Sequence, residues 1–469
     1  MFFRINFKIK FQSAFVLFFF LIEFFLIIIF FNSITSLSYT QMAMVSIVQL
    51  ILNLLALKFL VKLDFISIPC MFVLFTCIFH CGEILKYGFD MPGTDYFPLE
   101  IYASNFEISK AFIFYLLSQV FLFLGIGVSI KPSQNSIYRI NQLSMKLPRD
   151  SKKTGKILFG IGILPRLFLD VYQLYISSKS GYMALFTENI PQFVSTLAFF
   201  FDAGAIYLLI SESNKEKTTA IFWCVLLYKA FTMLSGSRQD KVCFLLIWIY
   251  IYYLIKSKLN IRKILVLIIM SFLGFYFISS IGAGRVNSNI EFGGFLSTIN
   301  TLSYTIGSSL SEFGSAFNTL VLAVKYTPSN ISYGFGLSFV AAIVSCVPLL
   351  VSKIPLLADK TIFITQLPGS IYHSLGGSFL GELFYNFSWT GPVFCILIGS
   401  ILGKSHYGIK SKDNNLSNVA CLYSAIVTAM FLYVRGYATD MGQKIIWLSI
   451  LLLILKSKEK KKISFNSNS

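Results

Sequence analysis

The run FQSAFVLFFFLIEFFLIIIFF, residues 11 to 31, decides the fold. It holds a single charge, Glu23, and a helix of this length at about 1.5 Å per residue spans the ~30 Å hydrocarbon core of a bilayer. The basic stretch before it, MFFRINFKIK, resembles the start of a secretory leader. The apolar run is too long for one, however, and no small-residue cleavage site follows, so it is expected to stay as a membrane helix.

Similar runs recur along all 469 residues, at about 42 to 61, 65 to 82, 111 to 130, 157 to 176, 192 to 210, 219 to 234, 242 to 255, 264 to 281, 379 to 402, 417 to 434 and 445 to 455. With the first run they make twelve expected crossings. Hydrophobic residues are 56% of the chain, charged residues 13%, and mean hydropathy is +0.73, beyond what a water-soluble domain needs to bury a core. Backbone groups in lipid must be paired within the segment, so the crossings are helices. The expectation is an all-α polytopic membrane protein, one integral membrane domain over residues 1–469.

Lysine and arginine set its orientation, since cytoplasmic loops hold them in excess. Two thirds of the 39 fall on the termini and alternate connections, which makes both termini cytoplasmic. The net charge of +18 is then a topology signal scattered over short loops, and no nucleic-acid partner is implied. The outward connections include residues 83–110, 177–191, 235–241, 435–444 and one long segment, 282–378. That last segment alternates Gly-rich polar stretches (IGAGRVNSNIEFGG, YTIGSSLSEFGSAF) with apolar ones (FVAAIVSCVPLLV) and is broken by Pro328, Pro348, Pro355 and Pro368. No single helix runs through it. Its apolar pieces are expected to lie along or dip into the outer interface, roofing a cavity that a substrate enters sideways from lipid. The reading of residues 332–352 as a further crossing stays open.

The eight cysteines show no metal-ligand spacing, and Cys77, His80 and Cys81 on one helix are read as packing. No phosphate-cradling glycine motif occurs, so neither ATP, a metal nor another cofactor is expected. Away from their ends, the crossings hold five charges: Glu23, Arg166, Asp170, Asp202 and Lys229. Each is costly there without a partner or water. Arg166 and Asp170 are four apart and placed to pair on one helix; Lys229 is placed either to pair with Asp202 or to line the wall of an outward cavity.

Outward arginines form a second set: Arg238 in SGSRQDK, Arg285 in GAGR and Arg435 in VRGY. Each stands at the outer end of a crossing, and an arginine fork grips phosphate oxygens in pairs. Together they suit a diphosphate held without a metal ion, and no Asp-x-Asp pair occurs in an outward loop. In SGSRQDK, Asp240 and Lys241 look placed to cap and anchor the following helix.

SGSRQDKVCFLL, SGYMALFTENIP, YGFGLSFVAAIVSCVPLL and above all GGSFLGELFYNFSWTGPVFCILIGSILG resemble the O-antigen and capsular polysaccharide polymerases of the Wzy type, over about residues 155–435. In FSWTGP, Ser388, Trp389 and Thr390 stand where that resemblance leads one to expect small residues and a glycine. The resemblance implies a GT-C-like architecture in the bacterial inner membrane. It also implies a glycosyltransferase that joins undecaprenyl-diphosphate-linked repeat units at the outer face, working beside a flippase and a chain-length regulator. Under it, Arg238, Arg285 and Arg435 would bind the diphosphate. Glu382, His373 and Glu312 are candidates for the base that takes the acceptor's hydroxyl proton, and Tyr385 and Asn386 are candidates for sugar hydroxyls. For Glu382, helix capping is the plainer reading. Two alternatives share the setting: a flippase or exporter acting through Arg166, Asp170, Asp202 and Lys229, and a ligase with the same donor chemistry.

Overall fold

The computed structural model describes residues 11–33, 36–93, 95, 98–130, 149–180, 192–212, 214–233, 239–256, 302–347, 350–358, 360–367, 375–410 and 416–466. Within them the regular structure is entirely helical. The first nine helices are α1 Phe11–Ser33, α2 Tyr39–Phe59, α3 Ile68–Gly88, α4 Leu99–Tyr102, α5 Asn105–Ser129, α6 Arg149–Ser180, α7 Gln192–Ser211, α8 Lys215–Thr232 and α9 Gln239–Lys256. After residue 301 come α10 Leu302–Gly314, α11 Ala316–Tyr326, α12 Leu337–Val344, α13 Pro355–Ala358, α14 Phe379–Phe387, α15 Cys395–Lys410, α16 Leu416–Tyr433 and α17 Ala438–Asn466. Eleven of the twelve expected crossings fall on these helices; the twelfth, 264–281, lies outside the described residues. By length and apolar content alone, six stretches among the described residues suffice to cross a membrane, at Tyr39–Phe59, Ile68–Gly88, Asn105–Ser129, Lys152–Lys179, Phe193–Ser211 and Phe379–His406.

Several helices begin well before their apolar runs because a cap sets the start. At α5, the Ser104 amide donates to Glu107 Oε2 at 2.8 Å in a capping box, which carries the helix six residues ahead of the expected boundary at 111. At α2, Ser38 and Gln41 form the same reciprocal pair.

Residues 302–367 behave as the proline and glycine content requires. In place of one long helix there are α10, α11 and the eight-residue α12, followed by short turns. At ~1.5 Å per residue, α12 covers roughly 12 Å, too short by itself to cross a bilayer. The expected crossing at 379–402 is also interrupted: α14 ends at Phe387, Ser388 takes a left-handed φ of 52°, and a 3-10 turn over Ser388–Phe394 containing Pro392 leads into α15. SWTGP is therefore a real break, made without the glycine expected among Ser388, Trp389 and Thr390.

Two packing centres result. In one, α5 lies against α15, and α3 against α2 and α10. Gly125 faces the Ile396 carbonyl and Gly399 the Leu122 carbonyl so closely that neither position has room for a Cβ. In the other, α6 and α7 form a tight pair, beside which α8, α9, α16 and α17 assemble.

Candidate functional site

In the second centre the charges of the crossings find each other. Arg166 Nε and Nη2 donate to both oxygens of Asp170, at 2.7 and 2.8 Å, in the two-pronged pairing that its i, i+4 spacing allows. The same guanidinium reaches across to α9, where Nη1 and Nη2 donate to Asp240 Oδ2 at 3.1 and 3.2 Å. Tyr228 Oη donates to Asp170 Oδ2 at 2.6 Å, and Lys241 Nζ stands 3.4 Å from Gln173 Oε1 and 3.9 Å from Asp170 Oδ1. Lys229, fully buried, pairs with Asp202 at 2.5 Å and faces the Phe244 ring at 4.7 Å. Three cations thus meet three carboxylates. The four charges that would serve a transporter are held by one another, by Asp240 and by Lys241, in a cluster that joins α6, α7, α8 and α9.

That cluster forms one wall of a cavity of about 1280 Å³. Arg166, Asp170, Gln173 and Asp240 line this wall, and Thr196 and Asp202 of α7 adjoin it. The α16–α17 turn and the first turns of α17 line it as well, with Arg435, Asp440, Gln443, Lys444 and Trp447. Ser345, Cys346, Val347, Val351 and Ile362 line a further side. Two bonds tie that side to α17: Gln443 Nε2 donates to the Ser345 carbonyl at 2.6 Å and Trp447 Nε1 to the Cys346 carbonyl at 3.0 Å. These lining residues belong to the long segment between residues 282 and 378.

The residues singled out from sequence are distributed unevenly around this space. Arg435 lines it. Arg238, Arg285 and His373 lie outside the described residues. Glu312 is half-buried near the end of α10 and off the cavity lining. Glu382 is buried behind the α16–α17 turn, where Oε2 accepts from Tyr433 Oη at 2.9 Å and from the Ala438 amide at 2.8 Å. Its helix is capped instead by Ser378, whose hydroxyl accepts from the Gly381 amide at 3.1 Å and stands 2.9 Å from His80 Nε2. His80 Nδ1 faces the Thr76 carbonyl at 3.0 Å and so carries the ring proton, which leaves Nε2 to accept from Ser378.

Tyr385 and Asn386 are likewise engaged with protein. Asn386 Oδ1 accepts from the Gly336 amide at 2.9 Å, and its Nδ2 donates to Ser338 Oγ and to the Glu382 carbonyl, both at 2.8 Å. The Tyr385 carbonyl accepts from the Gly334 amide at 2.9 Å, and its ring stacks on Phe363. GELFYN therefore clamps the YGFGLS stretch, and the two motifs form one unit.

Asp440, Gln443, Lys444 and Trp447 were not singled out from sequence. Their spacing of three, four and seven puts them on one face of a helix. Hydropathy places the boundary at 445 and leaves 435–444 as loop, so this periodic signal falls across it.

No curated protein and no solved structure matches the chain significantly. A family model described as O-antigen polysaccharide polymerase Wzy matches residues 13–460, and with nearly its whole length covered the chain belongs to that family, as a multi-pass membrane protein that polymerises O-antigen repeat units.

Proposed function

We propose that the cavity between α6, α7, α17 and residues 345–362 is the transfer site, that it opens at the outer face of the bacterial inner membrane, and that both glycans reach it on undecaprenyl diphosphate. The observation that carries this reading is that Arg435 and Lys444 line the same space of about 1280 Å³ as the charge-compensated cluster. The helix ends that build the space are those that the lysine and arginine count leaves on the outer side. Twelve crossings with both termini cytoplasmic, in a GT-C-like arrangement, are consistent with the helices described.

In the proposed reaction the growing glycan is the donor. A hydroxyl of the new repeat unit attacks its anomeric carbon, the bond from that carbon to the diphosphate oxygen breaks, and undecaprenyl diphosphate leaves with the bonding electrons. The hydroxyl proton passes to a base. Energy comes from the departing diphosphate, so no nucleotide is consumed. Arg435 offers a planar fork where charge builds up on the leaving group, and such preorganised donors stabilise the transition state more than the ground state. Arg238, two residues before cavity-lining Asp240 in sequence, and Arg285 would supply further cationic contacts. For the base, Asp440 joins His373 and Glu312 as a candidate, being exposed and part of the cavity lining.

The test is Arg435→Ala beside Arg435→Lys, each produced in a strain lacking its own polymerase and followed by the ladder of glycan lengths on gels. Loss of one to two charge-assisted bonds, about 1.5 to 3 kcal/mol each, should leave single-unit glycans in Arg435→Ala at normal membrane levels. Arg435→Lys keeps the charge and loses the fork, and should recover only short ladders. Full-length ladders from Arg435→Ala would remove this arginine from the site.

A further inference from the structure

Glu382 has no place on the cavity wall, yet its two partners flank a residue that does. One carboxylate oxygen accepts from Tyr433 Oη, the last residue of α16, and from the amide of Ala438, the first residue of α17. Arg435 stands between them. Three further bonds of the turn are local: the Val434 amide to the Phe431 carbonyl, Gly436 to Tyr433, and Tyr437 to Asp440 Oδ2, at 3.2 to 3.3 Å. Glu382 Oε2 thus spans the turn's two ends in one step. A carboxylate suits the task because the first amides of α17 carry the positive end of that helix.

A second contact reaches the turn from the same side. A Cβ on Gly376 would stand 2.7 Å from Arg435 Nε, and one on Gly377 would stand 2.6 Å from the Gly436 carbonyl carbon. Only glycines let residues 376–377 run this close beneath the arginine, and Thr319 Oγ1 fixes them by donating to the Gly376 carbonyl at 2.6 Å.

We infer that Glu382 is a positioning residue: through Tyr433 and Ala438 it fixes the turn that aims Arg435 into the cavity, and it takes no proton from substrate. This inference rests on the reading of Arg435 as the diphosphate-binding group. A fork that grips two oxygens works only within a narrow range of position and angle, and the turn between two helices is where that range is set.

The experiment uses the full-length protein in membranes with a synthetic lipid-diphosphate-linked repeat unit, and reads the initial rate of polymerisation at matched protein levels. Glu382→Gln keeps an acceptor oxygen for both donors and cannot act as a base. It should stay within roughly fivefold of wild type, whereas Glu382→Ala should fall by a hundredfold or so. Tyr433→Phe removes one donor without changing volume and should slow the rate roughly tenfold. Added to Arg435→Lys, it should slow the rate no further, because it acts through the same side chain. Glu382→Gln as inactive as Glu382→Ala would make Glu382 the base and overturn the inference. So would losses that multiply in the double variant, with the diphosphate reading left standing. Wild-type rates in Arg435→Ala would instead overturn the diphosphate reading itself, and the inference would fall with it.

Discussion

The two packing centres bring helices together by opposite means. Between α5 and α15 the side chains are absent: Gly125 and Gly399 let backbone meet backbone, as small residues do in membrane helix pairs where no hydrophobic drive separates protein from lipid. Between α6 and α9 the side chains are long, and Arg166 bridges the gap to Asp240 while holding Asp170. A glycine contact leaves nothing to rearrange and leaves no space. A charged bridge costs desolvation, tolerates a gap and keeps polar groups at its edge. The cavity accordingly lies beside the bridge, and the glycine contact serves as frame.

The largest stability effect should come from breaking the bridge. Arg166→Ala leaves Asp170 and Asp240 without their shared cation, and a buried pair broken on one side typically loses about 3 to 5 kcal/mol. The expected outcome is a sharp fall in membrane level and in the midpoint of heat-induced aggregation in detergent. A midpoint at the wild-type value would mean that the cluster does not hold the wall.

A smaller loss should follow from filling the frame. Gly125→Val forces α5 and α15 apart, and overpacking of this kind costs about 1 to 3 kcal/mol. The same melting measurement checks it, and polymerisation per folded molecule should stay near normal, since the cavity is built elsewhere. A selective loss of activity at unchanged stability would overturn the division between frame and site.

The smallest effect sharpens the comparison. Arg166→Met combined with Asp240→Leu removes one charge of each sign and leaves Asp170 with Tyr228 and Lys241. Apolar replacement of a buried pair is often neutral, so most of the stability lost in Arg166→Ala should return. If the double variant melts as low as the single one, geometry more than charge balance holds the wall.

What could be read from sequence follows the range of each interaction. The helices were legible because lipid demands long apolar runs, and the Arg166–Asp170 pair because its partners lie four residues apart. The Arg166–Asp240 bond joins residues 74 apart in sequence, and nothing in either neighbourhood announces the other. Asp240 was read as a helix cap, whereas its carboxylate bonds Arg166. The face made by Asp440, Gln443, Lys444 and Trp447 was hidden by a boundary placed at the onset of hydrophobicity, while the helix starts at Ala438. GELFYN stood out as unusual for a reason sequence could not supply: its polar atoms hold another stretch of the same chain.

The bonds made by α17 impose an order on how the protein comes into being. Glu382, the Ser345 and Cys346 carbonyls and Thr196 Oγ1 all wait for α16 and α17, through Tyr433, Ala438, Gln443 and Trp447. Those residues leave the ribosome after every group they secure. Until then a nascent chain can thread most of its helices into the bilayer without owning a finished pocket. Synthesis and competence are thereby separated in time, and a translation product stalled before residue 433 is inserted yet inert.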